Sequence, residues 1–69
     1  MKQASPDTFL RDRQVTAATG IPRSTRYELM DKGLFPKPVK LSPRIVAWSA
    51  AEIAAWQAER IAERDARAV

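Results

Sequence analysis

Two short helical patterns on either side of a tight Gly20-Ile21-Pro22 turn, a proline-punctuated stretch that alternates like a hairpin, and a closing helix opened by an S-x-x-E box predict a mostly α domain. Its one small β-hairpin serves as a wing, so the expected architecture is a winged helix-turn-helix with a C-terminal helix. The unit is expected over residues 9–66, after a flexible N-terminus at 1–8 and before a short tail at 67–69. Within it the spacing predicts helices at about 12–19, 22–32 and 50–66 and a wing at about 36–48.

The first helix is expected to start at Asp12, whose carboxylate suits an N-cap accepting from the Val15 amide. Gly20 ends it with left-handed geometry, and Val15 and Ala18 are its inward residues. Pro22 fits the first position of the second helix, which runs on until Gly33 stops it. Tyr27, Leu29 and Met30 provide its apolar contacts. Pro36, Pro38 and Pro43 forbid a helix over Leu34 to Trp48 but allow edge strands and a turn. Val39 and Leu41 alternate with Lys40, Val46 and Trp48 alternate with Ala47, and Ser42-Pro43-Arg44 makes the bend. Lys40 and Arg44 then face solvent near the tip. Ser49 to Glu52 reads as a capping box before a segment of strong helix formers. Ile53 and Trp56 form its stripe, Ile61 lies at the flank, and Glu63 is spaced to pair with Arg67.

With 69 residues, 45% of them apolar, the chain accommodates one small domain. Cysteine and histidine are both absent, which removes disulfides, thiolate or imidazole metal sites, thiol nucleophiles and the commonest general base. No catalytic constellation, metal site or cofactor loop is visible, and binding is the expected activity. The polar stretch from Met1 to Asp7 has no apolar core of a signal peptide, so a cytoplasmic, nucleoid-associated location is expected, without a membrane partner or small-molecule ligand.

Twelve Lys+Arg against eight Asp+Glu leave a net charge of +4. Residues 1–48 carry nine basic and four acidic side chains, whereas residues 49–69 carry three and four. The partner-facing part therefore lies in the first two-thirds, and an acidic partner fits it. The second helix is the natural reading element. Its N-terminal residues Arg23, Ser24, Thr25 and Arg26 suit phosphates or base edges in a major groove, with Arg23 the candidate for a bidentate guanine contact. Tyr27 can set its hydroxyl on the backbone while its ring packs inward, and Glu28 can accept from cytosine or pair with Lys32.

The run from Phe9 to Leu41, FLRDRQVTAATGIPRSTRYELMDKGLFPKPVKL, resembles the AlpA-type regulators of prophages and mobile elements, small relatives of MerR-like and excisionase-like winged helix-turn-helix proteins. The likeness continues through Arg44, Trp48 and Glu52 to Trp56 and covers roughly residues 9–64. Its most specific piece is R-S-T-x-Y followed by F-P-K-P-V-K-L. It implies sequence-specific binding of double-stranded DNA, controlling transcription or assisting excision, with Arg23, Ser24, Thr25 and Tyr27 on the recognition helix. By the same resemblance Lys37, Lys40 and Arg44 lie on the wing. Arg26 stands where the family commonly has an aliphatic residue, Glu28 where it commonly has a basic one, and Pro22 replaces a capping hydroxyl.

Other uses of the same residues stand beside these. Lys37, Lys40 and Arg44 can guard an edge strand against aggregation, and Trp48 and Trp56 fit a core better than a stacking platform. Phe9, Leu10, Phe35, Leu41 and Ile53 are the expected neighbours of the two tryptophans. One such unit buries little surface on DNA, so self-association or cooperative binding to repeated half-sites is expected. The competing functions are an excisionase that bends attachment-site DNA and a small adaptor whose basic face docks an acidic protein.

Overall fold

The computed structural model describes residues 7–67; the remainder of the expected flexible N-terminus and tail, residues 1–6 and 68–69, lies outside the described residues. The element order is β1 (Phe9–Leu10), α1 (Asp12–Thr19), α2 (Arg23–Asp31), β2 (Val39–Ser42), β3 (Ile45–Ser49) and α3 (Ala50–Arg67). The three strands form an antiparallel sheet in the order β1-β3-β2. Three helices with a short hairpin give the expected mostly α, winged helix-turn-helix architecture.

Strand β1 is absent from the sequence expectation because two residues cannot display an alternation. Phe9 pairs with Ser49 and Leu10 with Trp48, which makes β3 the central strand. Ala47, Trp48 and Ser49 are consequently buried in succession, and the expected contrast between Trp48 inside and Ala47 outside disappears. Strand β2 joins through Val39 opposite Ala47 and Lys40 opposite Val46, with a bulge between Lys40 and Ser42. Period-two geometry puts Phe9 and Val39 on the face away from Trp48. Phe9 is 47% exposed and Leu41 44%, so neither serves as a core neighbour of the tryptophans.

The core consists of Val15, Met30, Phe35, Trp48 and Ile53, with Leu10, Ile21, Tyr27, Leu29 and Trp56 packed half-buried around it. Trp48 is fully buried, and its indole N–H donates to the Pro36 carbonyl at 3.0 Å. Tyr27 meets it edge-on at 6.4 Å between ring centroids. Burying a side chain of that size removes roughly 200 Å² from water and stabilises the fold by on the order of 5 kcal/mol. Trp56 packs edge-on against Phe35 at 4.8 Å and donates to the Leu34 carbonyl at 2.8 Å, pinning the α2–β2 loop to α3.

Both glycines act as expected: Gly20 at φ 75° ends α1, and Gly33 at φ 72° follows α2. The helix starts differ. Arg11, not Asp12, is the N-cap of α1: the Val15 amide donates to the Arg11 carbonyl at 2.9 Å, and Gln14 covers the Arg11 amide at 2.8 Å. Pro22 is likewise the N-cap of α2 instead of its first helical residue. Ala18 is exposed, and its carbonyl accepts from the Gln57 side chain at 3.0 Å.

The Ser49 box is half realised. The Ser49 hydroxyl accepts from the Glu52 amide at 3.1 Å, but the second contributor is Asp7, whose carboxylate takes the Ser49 hydroxyl proton and the Ala51 amide at 3.0 Å. The Thr8 carbonyl accepts the Ala50 amide at 2.7 Å, so the end of the segment expected to be flexible is tied to α3. Along α3, Arg60 pairs with Glu63 at 3.0 Å and Arg64 with Asp65 at 2.9 Å, and these replace the expected Glu63–Arg67 pair. Ile61 is exposed on this helix.

Candidate nucleic-acid interface

The N-terminus of α2 is built for an anionic or polar ligand by its own backbone. The first intrahelical bond runs from the Arg26 amide to the Pro22 carbonyl at 3.0 Å, and proline supplies no side-chain cap. The amides of Arg23, Ser24 and Thr25 therefore have no acceptor inside the helix and carry the positive end of its dipole.

Arg23 stands over this end with its side chain 65% exposed. Its guanidinium lies 5.0 Å above the Tyr27 ring and 3.8 Å from one oxygen of Asp12. The Tyr27 ring also makes the edge contact with Trp48, so the side chain that carries Arg23 is itself packed against the core. Ser24 and Glu28 are exposed and Thr25 is half-buried. Lys32 pairs with no acid among the described residues, so the Glu28–Lys32 contact does not form, although the Lys32 amide does meet the Glu28 carbonyl at 3.3 Å.

Arg26 does not belong with the exposed set. It is fully buried: one terminal nitrogen donates to Thr16 Oγ1 at 2.6 Å and to the Ile21 carbonyl at 2.8 Å, while the other pairs with Asp12. The guanidinium also lies 5.2 Å over the Trp48 ring. A group with both terminal nitrogens engaged inside the helix-turn-helix has no route to an external ligand, and Arg26 is removed from the candidate contacts. It instead joins α1, the Gly20 turn and α2. Position 26 lies one helical turn before buried Met30, so its phase already pointed inward. No spacing rule marks Asp12, which is 14 residues away.

On the wing, Lys40 and Arg44 are exposed, and the Arg44 amide donates to the Ser42 hydroxyl at 3.3 Å, which shapes the turn. Lys37 is exposed but lies before β2, on the wall of an open groove shared with Glu52, Trp56 and Glu59. The structure thus places Lys40 and Arg44 on the hairpin and Lys37 before it, in an open groove that Glu52, Glu59 and Arg60 also line.

The family model that describes the prophage CP4-57 regulatory protein (AlpA) matches residues 8–61. The uncharacterized protein ORF88 of Enterobacteria phage P4 is 48% identical over 58 residues, covering 84% of this chain and 66% of that protein. The chain spans just under two thirds of that relative's length.

Proposed function

The chain belongs to the AlpA family of prophage regulatory proteins, and from that premise we propose that it is a transcriptional regulator that binds duplex DNA in a sequence-specific manner. Helix α2 enters the major groove with Arg23 toward a guanine edge, Ser24 and Thr25 meet the backbone or a base, and Lys40 and Arg44 hold the adjacent phosphates. The observation that carries this reading is the α2 N-terminus: three amides without helical acceptors beneath an exposed Arg23 stacked on Tyr27. Binding as pairs on repeated half-sites gives so small a module its affinity.

Binding measured on a selected duplex and on single-base variants tests the reading. Arg23→Ala lowers affinity by about 1–3 kcal/mol and flattens preference at one base position, whereas Lys40→Ala weakens all sequences alike. An unchanged base profile for Arg23→Ala contradicts the assignment.

A second reading, bending of attachment-site DNA, is favoured by exposed Leu41 and Ile45 beside Lys40 and Arg44 on the hairpin. Apolar side chains brought to a minor groove by flanking cations unstack base steps and kink the duplex. Mobility of circularly permuted fragments separates the two readings, since only bending makes migration depend on site position.

A further inference from the structure

Asp12 lies between two arginines of very different surroundings. One carboxylate oxygen pairs with Arg26, which is fully buried and fixed by Thr16 and the Ile21 carbonyl. The other oxygen lies 3.8 Å from the exposed guanidinium of Arg23. We infer that Asp12, anchored by Arg26, is a positioning residue that sets the conformation of Arg23 for base reading. This rests on the DNA-binding proposal above and adds what fixes its specificity.

An exposed arginine samples many rotamers, and ordering it on binding lowers affinity for every sequence. The Tyr27 ring below and the Asp12 carboxylate beside it confine Arg23 before DNA arrives. At 3.8 Å the carboxylate orients the guanidinium through charge without taking up its donor fork, which stays open to a bidentate acceptor. A lone carboxylate near DNA would repel phosphates, but Arg26 compensates this one. An aliphatic residue at position 26 cannot hold Asp12, so the device depends on the arginine that this chain carries.

The test is base preference from a randomised duplex library, read for the unmodified protein, Asp12→Asn, the double variant Asp12→Asn/Arg26→Leu, and each of these combined with Arg23→Ala. The double variant leaves no uncompensated cation in the core and keeps the experiment interpretable if Asp12→Asn alone unfolds. Circular dichroism identifies the folded variants. Loss of positioning lowers preference at the base read by Arg23 by roughly 3- to 10-fold, part of the about 5- to 150-fold that a good bidentate contact gives. Preference at other positions stays unchanged, and no further loss appears in the Arg23→Ala background. A role confined to stability would lower affinity without changing the profile at one base. Full preference at that base in a folded variant overturns the inference and leaves the DNA-binding proposal intact. Absence of preference in the unmodified protein overturns both.

Discussion

The carboxylate of Asp7 accepts the hydroxyl proton of Ser49, 42 residues later, and thereby completes the N-terminal cap of α3. That bond, followed by the one from the Ala51 amide, holds the Asp7 carboxyl below its usual value of 3.8. A depressed carboxyl contributes stability above its unfolded pKa and loses it as pH falls through the folded value. Asp7→Asn is therefore expected to lower the thermal midpoint at pH 7, with the difference from the unmodified protein closing below about pH 4. Thermal melts across pH 2–7 check this. Ser49→Ala removes the other half of the cap and costs about 1 kcal/mol in urea denaturation.

Trp48→Leu is expected to destabilise the fold by roughly 3 kcal/mol, because it leaves a partial cavity and strands the Pro36 carbonyl that the indole N–H satisfies. Chemical denaturation measures the loss. A change below about 1 kcal/mol would mean that the core repacks around the smaller side chain.

The Asp12–Arg26 pair is asymmetric, since Arg26 is fully buried and the Asp12 side chain is 40% exposed. Asp12→Ala strands a buried cation and costs about 3 kcal/mol, whereas Arg26→Leu leaves a carboxylate that water can reach and costs less. The order of the two denaturation midpoints checks this, and the reverse order contradicts it.

Affinity for duplex DNA is expected to fall about a thousandfold between 50 and 200 mM salt for a contact set of roughly six phosphates. Lys40→Ala and Arg44→Ala each lower the slope of log affinity against log salt by about 1. Lys37→Ala lowers it less, since Lys37 lies before β2, off the hairpin that carries Lys40 and Arg44. Fluorescence anisotropy over a salt series reads all three.

The features legible in the sequence were those set by neighbouring residues: Gly20 and Gly33 at positive φ, the Ser49 hydroxyl on Glu52, and the prolines that exclude a helix before the hairpin. Those that escaped depend on chain segments brought together by folding. Strand β1 exists only because β3 offers an edge, Asp7 caps a helix across 42 residues, and Arg26 is buried because Asp12, Thr16 and Ile21 receive its donors. A cap at Asp12 is a sound local preference, but the Val15 amide donates to the Arg11 carbonyl and the Asp12 carboxylate pairs with Arg26 instead. In the candidate site, the residue types at the start of α2 and the inward phase of position 26 were visible, whereas the partners that hold the Arg26 guanidinium inside required the fold.

Sequence-specific binding of duplex DNA is decided by affinity selection of fragmented DNA from the genome that encodes the protein, at about 150 mM salt, where surface charge is partly screened. Enrichment of a few sites sharing a short motif is the predicted result, and their position at promoters or attachment regions separates transcriptional control from excision. Binding without enrichment that vanishes as salt rises would contradict the claim and leave a basic surface suited to an acidic protein partner.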